Sequence, residues 1–244
     1  MHYELEKRIR RIIKMNWIDV TGSKTYNPGL LLEHFLNISP GKSELPDWEE
    51  KVEIKTKTSI RKKYIVLFNA TPNSKPNMIK TIHEKYGYPD KFNREFKVFQ
   101  SSFYTNYKRM GNGMFYILKV DRFNKIIVLE IQKNFQVIDR SIFWTFDLLK
   151  EKLERKLKYL LLTQAKKVFE HQSVLIRYLS AVLYIYKGFD HFLSAFEKGY
   201  IRVTFKVGVF KKDYRYGEIH DRGTSFELEE KYLEEVFQAL SVWD

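Results

Sequence analysis

The sequence predicts a mixed α+β protein of the α/β kind, and three observations predict it. Stretches of helical and of strand periodicity alternate along the chain, a pattern satisfied by helices packed on sheets. Residues 200–210 alternate cleanly, Ile201, Val203, Phe205, Val207 and Val209 between Arg202, Thr204, Lys206 and Gly208. That spacing gives a strand with one core face and one basic face. Finally, 244 residues, 44% hydrophobic and 16% aromatic, suffice for one large domain or two small lobes sharing a cleft. Such a chain can bury a core and is too apolar for wholesale disorder.

In chain order, residues 3–15 place Leu5, Ile9, Ile12 and Ile13 on one helical face and Lys7, Arg10, Arg11 and Lys14 elsewhere, an amphipathic helix. Thr21–Gly29 is a turn, and Pro28 suits the first turn of a helix running to about Asn37. A loop at Ser39–Pro46 leads into strands near Lys51–Lys57 and at Lys63–Phe68. Thr71–Gly87 holds Pro72 and Pro76, then a short helix that Gly87 can terminate. Residues 113–121 and 125–132 read as strands joined by the turn Asp121-Arg122-Phe123-Asn124. A helix fits 145–156. The apolar and aromatic stretch 157–186 satisfies strand and helix equally. A short helix fits 189–198, followed by the strand at 200–210, a polar stretch at 211–223, a strand near Thr224–Leu228 and a closing helix through Leu240. No internal repeat, low-complexity segment or long linker marks a boundary.

Lys and Arg number 43 against 30 Asp and Glu, a formal net charge of +13. A polyanion partner follows, whether DNA, RNA or an anionic membrane surface; a lysine excess serving solubility alone is the plainer alternative. RNA binding would call for stacking platforms or a recognisable module, and neither is present. With no Cys, disulfides, thiolate nucleophiles and zinc-thiolate sites are excluded. Charges throughout Met1–Asn16 argue against a signal peptide, and aliphatic runs such as Tyr159–Thr163 are too short to span a bilayer. The expectation is a soluble cytoplasmic protein without a membrane partner.

The segment Pro46-Asp47-Trp48-Glu49-Glu50-Lys51-Val52-Glu53-Ile54-Lys55 carries the main chemical signal. In a strand, Val52 and Ile54 point into the core while Lys51, Glu53, Lys55 and Lys57 share the other face. Asp47, just before the strand, can fold back toward Glu53. Two carboxylates can hold Mg²⁺, a hard ion that keeps several waters. Lys55 can then orient or deprotonate a water and offset charge growing on a phosphate. Glu-x-Lys also arises by chance on solvated strands in a chain this rich in both residues. Glu33 lies off the buried stripe formed by Leu31, Leu32, Phe35 and Leu36. It reads as an ordinary surface acid unless a third carboxylate completes the site.

His220-Asp221-Arg222 offers donors and acceptors matched to base edges, and arginine can pair bidentately with guanine. Taken alone, the segment is more simply a polar hairpin loop in solvent. Lys62, Lys63, Lys108, Arg109, Lys206, Lys211, Lys212 and Arg215 are candidates for phosphate contacts, and Tyr214 and Tyr216 for packing on sugars. Arg202 and Thr224 complete the candidate DNA-binding set.

Gly29–Leu36 followed by Pro46-Asp47 and Glu53-Ile54-Lys55 resembles the MvaI/BcnI family of restriction endonucleases, and more distantly the mismatch-repair nicking enzyme MutH. His220–Phe226 with its preceding strand, Ser141–Asp147, Arg155–Tyr159 and Asn77–Gly87 are similar to that family in the same order, over nearly the whole chain. The resemblance implies a PD-(D/E)xK nuclease, a mixed sheet flanked by helices, with two lobes around a DNA cleft. A catalytic lobe over about residues 1–135 and a recognition lobe over about 136–244 would follow, with room for the two to interleave. Asp47 and Glu53 would hold Mg²⁺, with Mn²⁺ able to substitute, Lys55 would be catalytic and Glu33 an accessory acid. A monomer would cut the strands of double-stranded DNA sequentially at a short, GC-rich, near-palindromic site, and a separately encoded methyltransferase would accompany it. Arg222 stands where the family pattern has a second histidine. Phe68–Pro72 lacks a lysine that the family carries, for which Lys75 is a candidate. A MutH-like nicking enzyme, or a DNA-binding protein with an inert nuclease site, are the alternatives; the intact Asp47, Glu53 and Lys55 argue against the second.

Overall fold

Helix α1 (His2–Lys14) forms as its periodicity requires: Leu5, Ile9 and Ile12 are buried, while Glu4–Arg8 and Glu6–Arg10 pair one turn apart on the surface. The computed structural model describes residues 2–23, 27–39, 45–58, 63–111, 113–212 and 214–244; Lys62 lies outside them. The other elements are β1 (Ile18–Asp19), α2 (Pro28–Phe35), β2 (Val52–Lys57), β3 (Tyr64–Asn69), α3 (Met78–Tyr86), β4 (Tyr88–Pro89), β5 (Lys97–Phe103) and β6 (Lys108–Arg109). Then come β7 (Phe115–Asp121), β8 (Ile126–Lys133), β9 (Gln136–Thr145), α4 (Phe146–Lys156), β10 (Tyr159–Glu170) and β11 (Ser173–Tyr186). The last are α5 (Phe189–Glu197), β12 (Ile201–Val209), β13 (Ile219–Asp221), β14 (Ser225–Glu229), α6 (Leu233–Val236) and β15 (Phe237–Trp243). The expected mixed α+β class holds. Among the described residues no helix is long and apolar enough to cross a membrane.

The chain forms two compact units, both discontinuous: Met1–Lys63 with Leu153–Gly188 and Glu234–Asp244, and Tyr64–Lys152 with Phe189–Leu233. Residue 135 falls between β8 and β9, which are hydrogen-bonded neighbours inside the second unit.

In the first unit, one sheet runs β1-β11-β10-β2, with β15 also paired to β11. β2 lies parallel to β10, and the other pairs are antiparallel. The undecided stretch 157–186 is thus a long hairpin, bulged at Gln164/Ala165. β10 opens with adjacent residues buried on its two faces, Leu160 and Leu161 alike, which erases the strand alternation there. Leu5, Ile9, Leu31, Leu32, Val52, Ile54, Leu161 and Ile176 belong to one core, built by α1, α2 and the sheet. The expected closing helix is corrected. Only a 3₁₀ turn (Glu230–Tyr232) and the four residues of α6 are helical. The chain then extends as β15, burying Phe237 and Trp243 and pairing Tyr186 with Phe237 and Ala181 with Trp243.

In the second unit, a six-stranded sheet runs β3-β14-β12-β5-β4 with β13 on β12, and a four-stranded sheet runs β6-β7-β8-β9. β12 is the expected alternating strand: Ile201, Val203, Phe205 and Val207 are fully buried. Phe205 packs edge-on to Phe99, with ring centres 5.2 Å apart, and lies 5.9 Å from Trp144. Gly87 ends α3 as expected but not in a left-handed turn; its φ is −60°. A Cβ there would lie 2.2 Å from the His83 carbonyl oxygen, so close approach demands glycine.

Candidate active site

Asn27 caps α2 by accepting from the Gly29 amide at 2.9 Å, and Pro28 opens the helix. Leu31 and Leu32 are buried in the core with Val52 and Ile54, and Glu33 is left half-buried. The connection into β2 is a tight turn. Glu49 and Glu50 take left-handed φ of 47° and 55°, and the amides of Lys51 and Val52 both donate to the Trp48 carbonyl, at 2.9 and 3.1 Å. The reversal brings Asp47 back along the strand, where its Oδ2 accepts from the Ile54 amide at 2.8 Å.

Val52 and Ile54 face the core as expected. Glu53, on the opposite face, is itself only 4% exposed. Lys55 Nζ donates to Glu53 Oε1 at 2.9 Å, and Lys156 Nζ stands 3.6 Å from Glu53 Oε2. Lys156 ends α4 and lies four positions before Leu160, the residue of β10 that pairs with Glu53. Parallel pairing therefore delivers a second lysine to the carboxylate. Reading by spacing missed it; Arg155–Tyr159 lay within the series of matching segments, which was the available signal. Lys75, the candidate for an additional lysine, is exposed in the second unit.

Burial raises the Glu53 pKa above the ordinary value of 4.5, opposed by Lys55 and Lys156 and reinforced by the Asp47 charge. Burial likewise raises Glu33, and the charges of Asp47 and Glu53 add to it against Lys55. Glu33, Asp47, Glu53 and Lys55 thus form one electrostatic cluster, as the sequence suggested. Glu33 and Asp47 line a cleft of about 450 Å³ with Arg8, Asn37 and Trp48.

The donor set fits a divalent cation. Glu53 Oε2 is buried without a hydrogen-bond partner among the described residues, and the mutual repulsion of the acids is relieved by added positive charge. Among the described residues no three His, Cys, Asp or Glu side chains form a ready cage. An open site of two carboxylates and waters is what Mg²⁺ takes.

In the second unit, His220 and Asp221 lie on β13, opposite Gly208 and Val207. His220 stacks on Phe210, ring centres 4.2 Å apart, and the Arg215 guanidinium lies 3.8 Å from the Phe210 ring centre and 5.5 Å from that of exposed Tyr214. Asp221 Oδ1 accepts from the Gly223 amide at 2.9 Å, and its Oδ2 from Thr224 Oγ1 at 3.3 Å. Thr224 is 1% exposed, and Arg202 is tied to Glu227 at 2.7 Å, to Tyr104 Oη at 3.0 Å and to the Tyr64 ring. Lys206 and Arg222 line a common cleft.

Among solved structures, the restriction endonuclease MvaI in complex with its cognate DNA substrate matches with a TM-score of 0.85 and 22% identity, over 98% of this chain and 96% of that one. MvaI in the absence of DNA matches with a TM-score of 0.61 and 21% identity, over the same shares. No curated protein matches the chain. A restriction endonuclease family model matches nearly the whole chain and the fold agrees with it, so the protein is a site-specific endodeoxyribonuclease. The match to the MvaI/BcnI restriction endonuclease family model runs over residues 6–237, and the chain belongs to that family.

Proposed function

We propose that the protein is a Mg²⁺-dependent type II restriction endonuclease that hydrolyses double-stranded DNA at a short, GC-rich, near-palindromic site, as a monomer cutting the strands in turn. The protein would work in the cytoplasm, Mn²⁺ would substitute, and a separately encoded methyltransferase would protect the same site. The observation that carries the reading is Glu53 held between Lys55 and Lys156 while Asp47 is bound to the next amide of the same strand.

Mg²⁺ held by Asp47 and Glu53 would supply Lewis-acid polarisation of the scissile phosphate. Lys55, anchored on Glu53 Oε1, orients the attacking water and offsets charge building on the phosphoryl oxygens. Lys156 neutralises the far side of Glu53, so the buried carboxylate can stay ionised. Glu33 adds a third acidic group within electrostatic reach of Asp47, Glu53 and Lys55. The first unit would therefore cut and the second would read sequence, with Arg215, Tyr214, His220, Asp221, Lys206 and Arg222 as contacts. Net charge of +13 supplies the sequence-independent attraction to phosphate.

The test is incubation with long unmethylated DNA, with Mg²⁺ or with EDTA, followed by sequencing of the ends. Discrete Mg²⁺-dependent fragments ending at one motif are expected. Nicks confined to one strand, or ends scattered without a motif, would overturn the assignment.

A further inference from the structure

We propose that the second cleft, lined by residues of β5, β6 and β12, reads the major-groove edge of guanine through Lys108, Lys206 and Arg222; this rests on the reading above of a sequence-specific endonuclease whose second unit faces bases. The cleft measures about 470 Å³ and is lined by those three cations with Gln100, Ser101, Ser102, Thr204 and Phe205. Adjacent strands build it. Gln100, Ser101 and Ser102 of β5 pair with Lys206, Phe205 and Thr204 of β12. The Arg222 amide donates to the Lys206 carbonyl at 3.3 Å, which sets Arg222 beside them.

The two lysines are held rather than loose. Lys108 Nζ donates to Ser101 Oγ at 2.6 Å and to the Ser102 carbonyl at 3.0 Å. Lys206 Nζ donates to Ser225 Oγ at 2.9 Å, and Ser225 in turn donates to Glu227 Oε1 at 2.6 Å. Glu227 is 5% exposed, and Arg202 takes its other oxygen at 2.7 Å. An ammonium carries three donors, so each lysine keeps a proton beyond those bonds. Phosphate contacts do not require such fixed aim, whereas reading a base edge does.

The donor character selects the base. Among the described residues no carboxylate lines the cleft, so its three cations can only donate, while Gln100 and the hydroxyls can donate or accept. Guanine presents acceptors alone in the major groove, N7 and O6. Adenine adds an amino donor there, cytosine shows a donor, and thymine sets a methyl group beside its acceptor. The Arg222 fork can take both guanine acceptors at once, and the lysines can reach a neighbouring guanine. Glu227 is a positioning residue that acts through Ser225 and Lys206.

The test uses the full chain and duplexes bearing its cleavage site, with each guanine replaced in turn by 7-deazaguanine, which lacks the N7 acceptor. Wild-type protein is expected to bind and cut at least one such duplex about 10- to 100-fold less well. Lys108→Met and Lys206→Met are expected to lose that sensitivity at one guanine or at adjacent ones. Glu227→Gln is expected to blunt discrimination at the Lys206 guanine and nowhere else; a merely structural role would weaken every sequence alike. Tolerance of 7-deazaguanine throughout, or sensitivity unchanged in all three variants, overturns the cleft assignment. So does uniform weakening by Lys206→Met with the salt slope reduced by about 1, the mark of a phosphate contact. Each of those results leaves site-directed cutting intact. Wild-type protein that cuts at no discrete motif would instead overturn the endonuclease reading, and the cleft's role with it.

Discussion

The Ile54 amide donates to Asp47 Oδ2 at 2.8 Å, so one carboxylate of the centre is fastened to the strand that carries the other. The fastening depends on the left-handed turn at Glu49 and Glu50, and it separates the electrostatic role of Asp47 from its structural one.

Asp47→Asn keeps an acceptor for Ile54 and removes the charge. It is expected to fold like wild type and to cleave on the order of 10²- to 10³-fold more slowly. Asp47→Ala should lose activity equally and also lose about 1 kcal/mol of stability in urea unfolding, because the Ile54 amide is orphaned. Wild-type cleavage by Asp47→Asn would remove Asp47 from the centre.

Lys156→Ala should slow cleavage by about 10- to 100-fold. Lys156 lowers the Glu53 pKa, so the acid limb of the rate profile should also move to higher pH in the variant. A reduced rate with the limb unmoved would mean that Lys156 acts only on folding or on DNA.

Glu53 and Glu33 sit above the ordinary carboxylate value of 4.5, chiefly through burial. Between 4.5 and the raised values the folded protein binds more protons than the unfolded chain. The stability these groups contribute is therefore complete below 4.5 and lost as pH rises through the raised values. Cation binding runs the other way. Affinity for Mg²⁺ should weaken as pH falls through the same window, with protons released on binding. Calorimetric titration in two buffers of different ionisation enthalpy should detect that release just above pH 4.5 in the wild type, and less of it in Glu53→Gln. No release in the wild type would contradict the raised values.

Glu50→Gly relieves a left-handed φ of 55°. It is expected to stabilise the protein by about 0.5–1 kcal/mol, since the strain removed exceeds the added freedom of the unfolded chain. That corresponds to a rise in Tm of roughly 2–4 °C for about 1 kcal/mol. Glu50→Val should lower Tm.

Where one face of an element meets solvent, the sequence spoke clearly. α1 and β12 show it, for their periods survive in Leu5, Ile9 and Ile12 and in Ile201–Val209. β10 opens with Leu160 and Leu161 both buried and its period is lost there, whereas β11 keeps alternate burial at Val174, Ile176 and Tyr178. β5 went unread because Val98 and Phe99 are buried side by side. The closing segment misled because Leu233, Val236, Phe237 and Leu240 recur at helical spacing; pairing with β11 overrides that local preference. Asp47, Glu53 and Lys55 were legible because they lie within one short segment. Lys156 reaches Glu53 only through the parallel pairing of β2 with β10, which no local spacing encodes. The sequence does not reveal Glu227 and Tyr104 as neighbours of Arg202, or Asp221 as that of Thr224.

The interleaving of the two units also sets a timetable for synthesis. Glu53 leaves the ribosome before residues 64–152, yet β10 and Lys156 follow them, and β15 follows later still. A nascent chain paused anywhere in that interval carries both carboxylates without the strand that seats β2 or the lysine that faces Glu53. The cutting centre thus matures only after residues 64–152 have been translated, so truncated translation products carry no assembled blade into the cell that makes them.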